Sequence, residues 1–256
     1  MPRRDDSLQA RLDRDLAELK LLEIARAYRE VLDEAARKGS SMLEILSVLI
    51  GLEVGGRQQR ALQRRLAQAR LPKRKTLEEY DFNFPKRLPK AAIVRLFDCD
   101  LIERHGCAVL IGPTGTGKSH LLTALGYTAA ERGYSVRYSR VVDMINHLTM
   151  AQMNGLLGKA LKSYVRPSLL LLDELGYLPI DKRGADLLFQ VVAARYESGS
   201  IVISTNRPFR EWGTLFDVDN TLATALIDRL MHHGEAIVIQ GDSYRMRDKD
   251  SDSPSA

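Results

Sequence analysis

The chain has 256 residues, 45% hydrophobic and 28% charged, a balance that supports one full domain with a small appendage and a real core. Two cysteines, no apolar stretch of membrane-spanning length and no signal-type segment after Met1-Pro2-Arg3-Arg4-Asp5-Asp6 argue against a disulfide scaffold, a membrane protein or an exported one. The formal charge of +5 is modest, and Cys99 and Cys107, without histidines at metal-ligand spacing, read as a reduced cytosolic pair.

Leu8, Leu12, Leu16 and Leu19 step along one face of an amphipathic helix over 8–37, which Lys38-Gly39-Ser40 breaks. Ser41 and Glu44 form a capping box for a second helical stretch through Met42, Leu43, Leu46 and Leu49 toward Ala69, with a break expected near Gly55-Gly56. No acid occurs between Glu53 and Glu78, whereas Arg57, Arg60, Arg64, Arg65, Arg70, Lys73, Arg74 and Lys75 are basic. Arg57, Arg60 and Arg64 share one helical face with Arg65 on its flank, a one-sided charge that attracts polyanions, nucleic acid first. Pro72, Pro85 and Pro89 mark extended chain. The expected organisation is therefore a helical N-terminal domain at 1–70, a linker at 71–90, a larger domain at 91–247 and a polar, disordered tail at 248–256.

In the larger domain strands alternate with helices. Cys107–Ile111 is a short apolar strand, Lys118 to about Arg132 a helix, Ser135–Ser139 a strand, and Val141 to Tyr164 helical. Ser168–Leu172 is the next strand, 183–198 a helix, Ile201–Ser204 a strand and Thr221–His232 a helix. Ala236–Gln240 is expected to turn through Gly241-Asp242-Ser243 and pair with Tyr244–Arg247. Such alternation means an α/β fold, a mostly parallel sheet with helices on both faces. The paired histidines His232-His233 read as structural residues favouring a helix C-terminus.

Gly112-Pro113-Thr114-Gly115-Thr116-Gly117-Lys118-Ser119, followed by His120, runs from the first strand into a helix and fits the P-loop pattern at every constrained position. Its glycines let successive amides turn inward around a phosphate at the positive end of a helix. Lys118 is expected on the β- and γ-phosphates of ATP and the Ser119 hydroxyl on Mg2+. The apolar run Leu169-Leu170-Leu171-Leu172 delivers Asp173 and Glu174 to the sheet's carboxyl edge, Asp173 toward the magnesium and Glu174 as the base that polarises water. Asn206, at the tip of the following strand, can hydrogen-bond that water or the γ-phosphate without competing for metal. Arg229 lies on a later helix, where it can reach a neighbour's γ-phosphate in trans or make a helix-surface pair. Lys159, Lys162 and Arg166, after a Gly-broken helical stretch, form a second basic region that competes with the first for DNA.

With these residues in hand the chain resembles the IstB-like helper ATPases of bacterial insertion sequences. These are AAA+ proteins related to the DnaC and DnaI helicase loaders. The resemblance rests on Lys75–Phe82, the P-loop, Leu172–Leu178, Ser204–Phe209, Glu211-Trp212-Gly213, Asp228–His233 and Gly241–Arg245. It implies that Asn206 is the sensor-one residue, Arg229 the arginine finger, and Tyr80 with Phe82 part of the stretch that holds adenine. It also implies ATP-bridged homo-oligomers on duplex DNA that present the target to a transposase of the same element, with the helical domain serving self-association or partner contact. The resemblance further implies that there is no C-terminal lid domain, which leaves Arg245 and Arg247 as candidates for the contact a lid would make. The alternatives are a helicase loader built on the same engine, and a scaffold that binds ATP without hydrolysing it.

Overall fold

The computed structural model describes residues 7–85, 87–216 and 220–244, without the side chain of Asn220. Arg245, Arg247 and the expected tail at 248–256 lie outside the described residues. The chain divides into two compact units between Arg64 and Arg65.

The first unit holds helices α1 (Leu8–Glu18), α2 (Leu22–Lys38) and most of α3 (Met42–Ala69). The single helix expected over 8–37 is two, because Lys20 takes a left-handed conformation at φ 55° and turns the chain. Gly39, also left-handed, ends α2 with its amide on Ala35 O. The Ser41–Glu44 box is reciprocal, with Ser41 N donating to Glu44 Oε2 at 2.7 Å and Glu44 N to Ser41 Oγ at 3.3 Å. α3 runs through Gly55-Gly56 without the expected break. A Cβ on Gly56 would collide with the Glu23 side chain, so that glycine serves close approach of α2 to α3. Leu16, Ile24 and Tyr28 form a small core with Leu21, Ala25 and Leu49 around them.

The second unit begins with turns over 72–85, then α4 (Lys90–Phe97) and α5 (Asp100–Glu103), two helices that were not among the expected elements. There follow β1 (Cys107–Ile111), α6 (Lys118–Glu131), β2 (Val136–Arg140), α7 (Val141–Met153), α8 (Leu157–Val165), β3 (Leu169–Leu175), α9 (Lys182–Arg195) and β4 (Ser200–Thr205). A 3-10 turn at Phe209–Glu211, α10 (Trp212–Leu215), α11 (Asn220–His232) and β5 (Gly234–Val238) complete it. Left-handed Gly155 divides the helical stretch expected over 141–164 into α7 and α8.

The strands form a parallel five-stranded sheet in the order β2-β3-β4-β1-β5. β1, β4 and the Leu169–Leu172 run of β3 are buried on both faces, as parallel strands covered by helices must be. The core beneath joins Val109, Leu170, Leu172, Ile201 and Ile203 to Leu188, Trp212 and Leu226.

Of the strand expected at Tyr244–Arg247 to pair with Ala236–Gln240, all but Tyr244 lies outside the described residues. β5 lies parallel to β1, and Gln240 bridges antiparallel to Arg87. The chain then crosses the P-loop, where Tyr244 N donates to Gly115 O at 3.0 Å. Gly241-Asp242-Ser243 signals a turn, but sequence spacing does not reveal that a glycine-rich loop offers a backbone acceptor there.

At the amino ends of the strands sits Arg195, 1% exposed. Its Nη1 donates to Tyr164 O, Val165 O and Pro167 O at 2.8 Å, and its Nη2 to Ser168 O and Ser200 O at 3.0 and 2.7 Å. One guanidinium thus satisfies the end of α8 and the starts of β3 and β4. Burial lowers its pKa to about 10.

Candidate nucleotide site

The strand order places β4 between β1 and β3. Three chain segments therefore meet at one carboxyl edge: the P-loop after β1, the acids ending β3, and Asn206 just beyond β4.

Gly115 and Gly117 both stand at φ 85°, and a Cβ on Gly117 would lie 2.5 Å from Tyr80 Cε2. No side chain fits that turn. The Tyr80 hydroxyl donates to Thr116 O at 3.0 Å, and Thr116 Oγ1 donates to Pro113 O at 2.9 Å. His120, on the first turn of α6, holds Thr76 O through Nε2 at 2.7 Å and meets the Tyr80 ring edge-on. Phe82 packs 5.1 Å from Tyr80, and Lys90 Nζ lies 5.0 Å over the Phe82 ring. Tyr80 and Phe82 thus buttress the P-loop backbone, and Tyr80 is buried there, its hydroxyl pKa pushed up to about 12 by desolvation and by Asp81. Pro113 and Thr114 form the exposed crown of the loop.

Lys118, buried beneath the loop, donates from Nζ to Gly112 O and Pro113 O, each at 2.7 Å. Burial lowers its pKa to about 8, against an opposing pull from Asp173.

The two acids part company at a β-bulge. Leu172 pairs with Ile203 and Leu175 with Thr205, so β3 carries one residue more than β4 across that interval. Glu174 takes the left-handed conformation at φ 64°, unusual for a residue with a Cβ, and its side chain is exposed. Asp173 is 2% exposed. Ser119 Oγ donates to Asp173 Oδ1 at 3.0 Å, the Glu174 amide at 3.1 Å, and Ser204 Oγ by a short contact. Tyr138 OH donates to Oδ2 at 2.7 Å. Desolvation, with Asp173 beside it, raises the Tyr138 pKa and keeps the phenol a donor.

Tyr138 and Ser204 were not among the expected site residues. Ser204 lies in the strand whose tip was singled out, and Tyr138 is an alternate residue of β2; only the strand order brings both hydroxyls to Asp173. Asn206 is half-buried, and its side chain has no hydrogen-bond partner among the described residues. Arg229 is apart from this group: it lies 4.6 Å over the Phe189 ring of α9 and donates to Ala225 O at 3.1 Å.

The donors fit the chemistry of a magnesium nucleotide. The Ser119 hydroxyl and the Asp173 carboxylate are hard oxygen ligands 3.0 Å apart at the foot of a phosphate loop. A glycine-built loop with a buried lysine, a sheltered acid and an exposed one beyond it define a P-loop ATP-binding protein of AAA+ type. More narrowly, the chain belongs to the IstB-like ATP binding protein family, which matches residues 14–252. It is 37% identical over 234 residues to the ATP-binding protein of insertion sequence IS21 from Pseudomonas aeruginosa, covering 91% of this chain and 88% of that one. Among solved structures, the replication initiator DnaA bound to AMPPCP and single-stranded DNA is similar at a TM-score of 0.57 and 25% identity, over 68% of this chain and 52% of that one. The DnaC helicase loader is similar in fold at a TM-score of 0.53 and 21% identity, over 63% of this chain and 96% of that one.

The basic residues behave differently from one another. Arg57 is 3.0 Å from Glu53 Oε1, and Arg60 pairs with both Glu53 and Glu23. Glu53 Oε2 meanwhile accepts the Glu23 and Ile24 amides at the start of α2. Those two arginines thus belong to a helix-capping network inside the first unit. Arg64 is exposed, and Arg65 donates to Ala130 O at 2.9 Å. Lys159, Lys162 and Arg166 are exposed, with no ion-pair partner among the described residues.

Proposed function

We propose that this chain hydrolyses ATP with Mg2+, assembles through ATP-bridged interfaces on duplex DNA in the cytoplasm, and presents that DNA to the transposase of its insertion sequence. The observation that carries the hydrolytic reading is the split at the end of β3. Asp173 is buried and held by four donors, whereas Glu174 is lifted by the bulge into the open. Lys118 and the loop amides bind and orient the phosphates, and magnesium held by Ser119 and Asp173 supplies neutralisation of their charge. Glu174 takes a proton from the attacking water, and Asn206 orients that water or the γ-phosphate. Arg229, leaving the Phe189 face, reaches a neighbouring subunit's phosphate. The sequence of the insertion-element relatives supports the transposition reading. The first unit's exposed Leu43, Leu46, Ile50 and Val54 support a role in self-association.

For DNA, the free charges of Lys159, Lys162 and Arg166 favour that region over Arg57 and Arg60, which carboxylates already engage. The test is duplex binding by anisotropy across a salt series, with a non-hydrolysable ATP analogue or ADP, for Glu replacements in each cluster. Replacing Lys159, Lys162 and Arg166 is expected to flatten the salt slope by roughly one per lost phosphate contact. An unchanged slope removes that cluster, and equal affinity with the analogue and ADP removes ATP-dependent DNA capture.

A further inference from the structure

We propose that Glu197, His232 and His233 form a second metal site, for a borderline divalent transition ion, with zinc as the first candidate. The site lies at the amino edge of the sheet, away from the P-loop edge. Glu197 follows α9 just before β4, and the two histidines join the end of α11 to the start of β5.

One ligand atom from each residue lies within 4.8 Å of the other two, and all three side chains are exposed. His233 Nε2 is 3.9 Å from Glu197 Oε1, and the two imidazole rings are 4.2 Å apart. Ligands about 2.0–2.1 Å from a tetrahedral ion stand roughly 3.3 Å from one another. Exposed side chains reach that spacing by small rotamer changes.

Two details aim the cluster. Glu197 is left-handed at φ 58°, which turns it out of the α9 direction toward the end of α11. Tyr196 OH lies 2.9 Å from His232 Nδ1. With Nδ1–H donating to the phenol, the lone pair of Nε2 is left free for an ion, the partner that metal-binding histidines generally have. The Tyr196 ring also stacks on His233.

Two imidazoles and one carboxylate suit Zn2+, Co2+ or Ni2+, not the hard ions that the Ser119–Asp173 oxygens fit. A bound ion would tie the ends of α9 and α11, the two helices whose facing residues are Phe189 and Arg229. The inference is independent of the proposed ATPase function.

The experiment uses the untagged, metal-free full chain in millimolar Mg2+. Zn2+ is titrated in competition with a chromophoric chelator, and Co2+ is followed by its visible spectrum. A single equivalent of micromolar affinity is expected, with Co2+ bands of four- or five-coordinate intensity. His232→Ala, His233→Ala and Glu197→Gln should each weaken binding about ten-fold or more, and Tyr196→Phe about ten-fold. Asp173→Asn should leave it unchanged. Absence of saturable binding overturns the proposal. So does wild-type affinity in the double His232→Ala, His233→Ala variant, or loss of the equivalent in Asp173→Asn. Thermal melts of each variant separate a lost ligand from a lost fold.

Discussion

The two edges of one parallel sheet are built on opposite terms. At the amino edge Arg195 is sealed, its terminal nitrogens spent on five backbone carbonyls. At the carboxyl edge polar groups are held but not consumed. Asp173 is fixed by Ser119, Ser204, Tyr138 and an amide, while Glu174 and Asn206 next to it keep their capacity for other partners. The first arrangement stabilises a fold. The second leaves chemistry available where strand ends and the P-loop converge.

Substitutions at the two edges should therefore separate stability from activity. Arg195→Met is expected to have the largest effect, about 3–5 kcal/mol of stability, since several buried carbonyls lose their donor. Its folded fraction should bind nucleotide normally, as denaturant melts paired with titrations would show. Reduced nucleotide affinity in that folded fraction would break the separation. At the other edge Lys118→Ala should weaken nucleotide binding by about a hundred-fold, from loss of charge-assisted bonds of roughly 3 kcal/mol, with little change in melting temperature.

The same lysine predicts a pH dependence. Burial favours its neutral form, so it is charged below about pH 8 and loses its proton above. Phosphate needs the charged form. Binding therefore sits at a plateau below that value and weakens by roughly ten-fold per pH unit above it, with proton uptake detectable calorimetrically in buffers of different ionisation enthalpy. Flat affinity from pH 7 to pH 10 would remove Lys118 from the phosphate. The smallest expected effect is Tyr138→Phe, about 1 kcal/mol, seen as weaker Mg2+-dependent nucleotide binding with unchanged Mg2+-free binding. Equal loss in both conditions would mean that the hydroxyl acts on the strand, not on Asp173.

The carboxyl edge was more legible in sequence than the amino edge. Gly112–Ser119 and the apolar run into Asp173-Glu174 are local patterns, set by one turn and one strand, and spacing suffices to read them. Tyr138 and Ser204 reach Asp173 through the order β2-β3-β4, which no local pattern contains. The bulge that separates Asp173 from Glu174 is a matter of register between strands. No local pattern marks Arg195, and only packing reveals its burial. The apparent one-sidedness of Arg57 and Arg60 dissolves once Glu23 and Glu53 are seen beside them. Lys20 breaks a helix that hydrophobic spacing carries straight through, because a single left-handed residue leaves no periodic trace, whereas the break at Gly155 is signalled by the glycine itself.

The division of labour between Asp173 and Glu174 is tested most directly by ATP turnover of Glu174→Gln, measured together with its nucleotide affinity. The amide keeps the shape of the side chain but cannot accept the proton. Turnover should fall by about 10²–10⁴-fold with magnesium-nucleotide binding intact. Turnover close to that of the unaltered chain would contradict the assignment.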